Sequence, residues 1–278
     1  MDESLPRSVA VAQPRNMRLR FIRWNLQYIT IVYIFCAVSI GLLFNWSIPL
    51  LVIPALILVI LLIGGIARPG SQLFYPTITH GGRAKKLVAL TFDDGPDPDV
   101  TQKVLDVLAK YSARATFFVI GKWLDKYPEM GKRIVEAGHV LGNHSWSHSR
   151  LQNFYSARRH AHEIEKCQLL IEKLSGPSQV IYRPPIGLKS CELGQAAYRQ
   201  NVMLVAWSLH SRDTRMQDPD RIAKRVLDKI RGGDIVLMHD GHDLPGRHRT
   251  QCVQAVHLIL QGLQARGLQC VTVPELLE

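Results

Sequence analysis

From Trp24 to Ala67 the chain runs 44 residues without one Lys, Arg, Asp, Glu or His. A single helix of that length would be ~66 Å long, about twice the ~30 Å hydrocarbon core of a bilayer. Two spans fit instead. The break falls at Asn45-Trp46-Ser47-Ile48-Pro49, where a polar pair flanks an interfacial Trp, Ser can cap a helix and Pro can enter its first turn. The sequence therefore predicts a transmembrane hairpin of Leu26–Phe44 and Pro49–Ala67. A cleaved signal peptide is disfavoured by the second apolar stretch and by the lack of a small-residue cleavage site after the first. A buried soluble hairpin is disfavoured because soluble helices rarely go so long without a charge.

Arg7, Arg15, Arg18, Arg20 and Arg23 precede the hairpin, and Arg68, Arg83, Lys85 and Lys86 follow it. The loop between the spans is uncharged. The positive-inside rule then predicts a multi-pass membrane protein with both termini, and the whole C-terminal domain, in the cytoplasm, whereas one span plus a re-entrant segment would put the domain outside. Of the net +11, +4 lies in the first 70 residues and +7 in the remainder. That excess suits membrane lipid headgroups. The basic residues are dispersed, without a run of five or interleaved aromatics, so no nucleic-acid partner is expected. Five scattered cysteines without a CxxC pair exclude a disulfide scaffold and a zinc ribbon.

The chain divides into a basic tail (1–25), the hairpin (26–67), a linker around Pro69-Gly70 (68–84) and a soluble domain (85–278). In the last, apolar runs read as strands at Leu87–Phe92, Ala115–Ile120, His139–Asn143, Val180–Arg183, Val202–Ser208, Asp234–His239 and Leu268–Val273. Segments of helical period lie between them, as at Val104/Leu105/Leu108/Tyr111, Ile222/Val226/Ile230 and Val253/Val256/Leu260/Leu263. This alternation predicts an α/β fold with about seven parallel strands, either a doubly wound sheet or a barrel. Polar residues gather where strands end: Asp93-Asp94, His144, Arg183 and His239, with Asp213 after the fifth strand. In an α/β barrel those ends share one face.

Each cluster suits hydrolytic chemistry. In Thr91-Phe92-Asp93-Asp94-Gly95-Pro96, adjacent carboxylates diverge, so one can bind a cation while the other moves a proton; a solvated Asp-Gly turn is the bland alternative. In Asn143-His144-Ser145-Trp146-Ser147-His148, the H-x-x-x-H spacing on a helical turn would put both imidazoles on one face, suited to zinc with a carboxylate from elsewhere. Arg183-Pro184-Pro185-Ile186-Gly187 offers an Arg to hold a carboxylate ionised and a rigid loop whose N–H groups can face an oxyanion. His239 leaves an apolar strand ready to shuttle a proton, and Asp213 could accept its other N–H. The loop Arg247-His248-Arg249 reads as solvated, with contact to a phosphate as the alternative.

In that order, TFDDGP, NHSWSH, RPPIG and LMH resemble the motifs of the polysaccharide deacetylases, the NodB-homology or carbohydrate esterase family four, over residues 85–275. The resemblance implies a distorted (β/α) barrel, one divalent metal ion, zinc, and removal of N-acetyl groups from sugars. By matching position it implies Asp94, His144 and His148 as metal ligands, Asp93 as general base and His239 as the acid for the leaving amine. Arg183 would orient Asp93 and Asp213 would tune His239. The Ile186 N–H would stabilise the oxyanion, and Leu237 would line the acetyl-methyl pocket.

Two departures concern sugar recognition. The family's third motif usually carries an aromatic residue where this chain has Ile186. Its Asp-x-x-Asp-Trp motif reads here His210-Ser211-Arg212-Asp213-Thr214. The expected partner is an amino-sugar glycan or, given a cytoplasmic domain, a polyprenyl-phosphate-linked sugar. A deformylase or O-acetyl esterase using the same residues, or a non-catalytic glycan-binding membrane protein, are the alternatives.

Overall fold

The computed structural model describes residue 31, residues 34–39 and 41, and residues 48–278 except 73, 179 and 245. The basic tail, most of the first predicted span and the Asn45–Ser47 break lie outside the described residues. The chain divides into two compact units, residues 1–62 and 63–278. The second apolar stretch forms helix α1 (Ile48–Ala67), 20 residues long. Its side chains are described only in part, and among fully described residues no helix is long and apolar enough to cross a membrane.

The second unit alternates strands and helices. Its strands are β1 (Thr77–Ile78), β2 (Leu87–Asp93), β3 (Thr116–Val119), β4 (Val140–Asn143), β5 (Ile181–Tyr182), β6 (Met203–Val205), β7 (Leu209–His210), β8 (Ile235–His239) and β9 (Gln269–Cys270). Its helices are α2 (Thr101–Lys110), α3 (Gly121–Lys126), α4 (Pro128–Glu136), α5 (Ala157–Ser175), α6 (Cys191–Arg199), α7 (Pro219–Leu227), α8 (Gln251–Ala265) and α9 (Val273–Leu277). Strand order is β1-β6-β5-β4-β3-β2-β8-β7, with β9 beside β2 and every ladder parallel.

That order dictates the shape. β6 and β7 stand toward opposite ends of the strand path, yet only residues 206–208 connect them. Four peptide steps reach ~14 Å at most. The sheet therefore has to curl until its ends approach, and backbone bonds tie the seam: Ala206 N–H to Ile78 O (2.7 Å) and Ser208 N–H to Ile235 O (3.0 Å). The result is a curled, barrel-like α/β sheet.

Period-two alternation sorts the side chains to two sides of this sheet. On β2, Val88, Leu90 and Phe92 pack outward with Val104 and Leu108 of α2 and Val256 and Leu260 of α8. Ala89 points inward with Phe118, Ile181, Val205 and Ile235. Leu90 has no exposure, and truncating such a residue to Ala costs about 2–5 kcal/mol. The same alternation sends Thr91 and Asp93 inward, so the hydrophobic packing of one face aims the polar residues of the other. The helices are bounded by local chemistry. Asp218 caps α7 through Oδ1, accepting from Asp220 N–H (2.9 Å) and Arg221 N–H (3.3 Å), with Pro219 in the first turn. Gly267, at φ 63°, follows the end of α8.

All seven predicted strands form, most of them shorter than expected. β1, inside the predicted linker, and β7 were not foreseen, because two residues carry no period to read.

Candidate active site

The inward face ends in a polar mouth. Asp93 on β2 and His239 on β8 are register partners, so both side chains emerge there. Asp93, Asp94, His144, His148, Ile186, Leu237 and His239 all line one cleft of about 500 Å³. Arg183 and Asp213 lie beneath it, with no solvent exposure.

Arg183 is placed by hydrogen-bond satisfaction. Its Nη1 donates to Asp93 Oδ1 (2.7 Å) and Thr91 Oγ1 (2.8 Å), Nη2 to Ala206 O (2.9 Å) and Nε to Val205 O (3.4 Å). Its guanidinium carbon sits 4.0 Å from the Phe118 ring centre. Burial pulls its pKa down and Asp93 opposes that shift. A buried cation with this many partners is oriented rigidly, and so is the carboxylate it holds.

On the facing wall, Asp213 grips His239 twice. Oδ2 accepts the His239 backbone N–H (2.7 Å) and Oδ1 lies 2.9 Å from its Nδ1. Burial alone would lower the imidazole pKa, but the Asp213 charge and hydrogen bond, with Asp94 and Asp93 nearby, raise it to about 9. His239 is thus a cationic acid at neutral pH, with Nε2 as its free nitrogen.

Between these two pairs, Asp94, His144 and His148 each bring one ligand atom within 4.8 Å of the others. His148 Nε2 lies 3.2 Å and His144 Nε2 3.6 Å from Asp94 Oδ1. Ligands ~2.0–2.1 Å from a tetrahedral zinc are about 3.3 Å apart. His144 Nδ1 sits 2.7 Å from Arg183 O, which fixes the proton there and leaves Nε2 as a lone-pair donor. Burial lowers the pKa of His144 to about 3 and of His148 to about 4, so both are neutral, the ligating form. Burial also raises that of Asp94; a cation beside it would offset that cost. The donor set fits a divalent metal.

One geometric expectation is corrected. His144 and His148 do not share a helical turn: β4 ends at Asn143, and residues 144–148 form a loop. The loop folds back with Ser145 at φ 66° and His148 at φ 52°. Asn143 Oδ1 accepts the Ser145 N–H (3.0 Å), and Ser145 Oγ accepts the His148 N–H (3.0 Å). The rings meet at 4.9 Å between centres. Of the seven non-glycine residues with positive φ among those described, five (Asp94, Ser145, His148, Ile186 and Arg212) lie at or beside this site. Such conformations cost about 1–3 kcal/mol each and concentrate where function requires them. Gly95 is demanded by packing, since a Cβ there would stand 2.6 Å from both Asp240 carboxylate oxygens.

The cleft also holds residues that the motifs left out: Trp207, Arg150, Arg215 and Asp243. Trp207 supplies an aromatic wall where Ile186 does not. Gly187, at φ 73°, makes room for it, since a Cβ there would lie 2.7 Å from its ring. Its position at the end of a predicted strand was the available signal. Asp243 follows His239 by four residues and approaches His148 Nδ1 at 3.9 Å. Arg249 turns inward rather than into solvent, donating to Gly241 O (2.8 Å).

Comparison with known proteins agrees with this geometry. A family model described as polysaccharide deacetylase matches residues 80–205. A peptidoglycan-N-acetylglucosamine deacetylase of Bacillus cereus is 36% identical over 204 residues, 73% of each chain. A chitooligosaccharide deacetylase of Bradyrhizobium is 34% identical over 68% of this chain and 90% of its own. The crystal structure of a peptidoglycan N-acetylglucosamine deacetylase superposes with a TM-score of 0.68 at 34% identity, covering 72% of this chain and 92% of that one. A CE4 family pseudoenzyme from Bacillus anthracis superposes at 0.66 with 27% identity, over 73% and 69%, so activity depends on the site residues and not on the fold alone. With its four motifs at the strand ends of one curled sheet, and more than a third of the aligned residues shared with the B. cereus deacetylase, the chain belongs to the polysaccharide deacetylase family.

Proposed function

We propose that the protein is a metal-dependent N-deacetylase of an N-acetylated amino sugar, releasing acetate. The observation that carries this reading is the pairing of Asp93 with Arg183 and of His239 with Asp213 on two sides of the Asp94/His144/His148 donor set.

A divalent ion on those three ligands would supply Lewis-acid polarisation of the acyl carbonyl and a lowered pKa for water. Asp93, oriented by the Arg183 Nη1 hydrogen bond at 2.7 Å, takes a proton from the attacking water as its oxygen bonds to the acyl carbon. The Ile186 N–H meets the developing oxyanion, and Leu237, nearly buried at the cleft floor, accommodates the methyl group. His239 donates its proton to the nitrogen as the C–N bond breaks, giving a neutral amine and acetic acid. The acid ionises to acetate by losing its proton to solvent, and the proton held on Asp93 returns to His239 through solvent. Trp207 gives the sugar a flat face to stack on.

The charge-free stretch supports anchoring by a hairpin over residues 26–67, with the domain on the cytoplasmic side of a bacterial inner membrane. A polymer outside the cell is then out of reach, and a polyprenyl-phosphate-linked sugar becomes the substrate of choice. Amine release by detergent-purified protein from a chitin-type oligomer and from a polyprenyl-phosphate-linked N-acetylhexosamine tests this. Chelator, Asp93→Asn and His144→Ala serve as controls. Chelator-sensitive turnover of the lipid-linked sugar alone is expected. Turnover of the oligomer alone would sink the lipid-linked reading, and faster release from N-formyl or O-acetyl analogues would reassign the acyl group. Protease digestion of inverted and right-side-out vesicles tests the side of the domain, which should be cleaved only in inverted ones.

A further inference from the structure

The end of the hydrophobic helix α1 is not loosely strung to the barrel. Residues 63–71 belong to the same compact unit as the sheet. Lys189, 1% exposed, donates through Nζ to Pro69 O (2.6 Å), Ser71 O (2.6 Å) and Thr77 Oγ1 (3.1 Å). Sequestering an ammonium is costly without partners, and here two of the three acceptors are linker carbonyls. Pro69 in turn lies against Gly187, where a Cβ would meet its ring at 3.2 Å. The exit of α1 is thereby fixed beside the loop that carries Ile186 at the cleft mouth.

A second loop adjoins the first. Gln152 Nε2 donates to Pro185 O at 3.5 Å, joining residues 150–154 to residues 184–187. Among the described residues after Ala67, six large hydrophobic side chains are exposed, and three of them stand on these two touching loops: Leu151 (65%), Phe154 (87%) and Ile186 (55%). Around them are the exposed cations Arg68, Arg158 and Arg159, with Arg150, which is paired with Asp243 at 3.1 Å, and residues 149–159 contain no Asp or Glu. Protruding apolar residues ringed by arginines match a surface that enters the headgroup region of an anionic bilayer.

We propose that this rim rests on an anionic phospholipid bilayer, so that the catalytic cleft opens at the membrane surface and receives amino sugars carried by membrane lipids. Three observations converge on that occupant: the clamped exit of α1, the exposed apolar residues on the same loops, and the one-sided basic charge. The inference rests on the reading that residues 26–67 lie in the membrane.

The test is photo-crosslinking of the full-length chain in nanodiscs of phosphatidylcholine and phosphatidylglycerol. p-Benzoylphenylalanine replaces Phe154 in one sample, Ile57 of α1 in a second, and Gln264, exposed near the end of α8, in a third. Lipid adducts detected by mass spectrometry are expected from positions 57 and 154, with a several-fold loss at 264. Adducts from 57 alone would overturn the rim proposal and leave the anchor standing. Adducts from neither would overturn both. Equal yields from 154 and 264 would overturn the proposal as non-specific contact. Capture of an added chitin-type oligomer by 154, in place of lipid, would assign the rim to sugar binding and overturn it as well. The readout needs no turnover, so a lipid adduct at 154 without deacetylation would fault the activity reading alone.

Discussion

Arg183 and Asp93, 90 residues apart in sequence, meet at 2.7 Å through Nη1 and Oδ1, with the arginine wholly buried. Four of the five guanidinium N–H groups have protein acceptors, so Arg183 is a rigid bracket rather than a diffuse charge. Arg183→Met leaves a buried carboxylate without its cation, and a loss of about 3–5 kcal/mol in folding free energy is expected. Arg183→Lys keeps the charge but cannot span the same acceptors. Its expected phenotype is a kcat lowered about 10²- to 10³-fold with KM little changed and metal content intact. Steady-state kinetics with metal analysis checks this, and a parallel loss of metal would make Arg183 structural only.

With His239 in its proposed role as the acid, the His239–Asp213 pair sets the alkaline limit. His239 loses its proton only near pH 9, because Asp213 outweighs the burial that opposes it. Acid catalysis should therefore hold through neutrality and fall as pH rises through that value. In Asp213→Asn the opposing burial dominates, and the alkaline limb of kcat should move below neutrality. An unmoved limb would exclude His239 as the acid. The same pair stabilises the fold fully below the unfolded imidazole pKa of ~6.5, and that contribution fades as pH rises toward 9.

Asp243 gives a test of the proposed metal site that removes none of its proposed ligands. His148 Nδ1 is buried without a hydrogen-bond partner, and Asp243 Oδ2 is 3.9 Å away, held by Arg150 at 3.1 Å. A carboxylate behind a ligating imidazole orients the ring and raises its basicity. Asp243→Asn should weaken zinc binding about tenfold in chelator competition. His148→Ala, which removes the ligand, should abolish binding. Equal affinity in wild type and Asp243→Asn would show that Arg150 alone claims the carboxylate.

What could be read from sequence follows from how each feature is encoded. Leu87–Phe92 and Ile235–His239 are long enough to declare their strands, and a strand's end is where its polar residue emerges, so Asp93 and His239 were legible. The gathering of Arg183 and Asp93 on one face followed from parallel strands bringing their ends together, whereas their pairing was implied only by the resemblance of the motifs to the family's. The loop joining His144 to His148 was not legible. Its shape depends on two left-handed residues and on the Asn143 and Ser145 side chains, which a spacing of four residues imitates with a helix turn. β1 and β7 have two residues each, and Trp207 reaches the cleft because the sheet curls. Such contacts depend on topology, which no local pattern encodes.

A last prediction concerns acid stability, away from the reacting groups. His139 is buried before β4, with Nδ1 accepting the Ala115 N–H at 3.2 Å and its ring 5.5 Å from that of Phe117. Burial, reinforced by Arg114, lowers its pKa to about 4. The unfolded chain takes up this proton near pH 6.5, so the unfolded state gains as pH falls. The stability involved is whole above pH 6.5 and drains between 6.5 and about 4, to an extent on the order of 2–3 kcal/mol. His139→Asn retains an acceptor for the Ala115 N–H but cannot be protonated. It should melt earlier at pH 7.5, having lost contact with Phe117, yet lose less of its Tm between pH 7.5 and 5 than wild type. Both chains are measured metal-free, so the protonation of His144, His148 and His160 cancels in the comparison. Parallel Tm-against-pH curves would show that His139 stays neutral in both states or that its protonated form is accommodated in the fold.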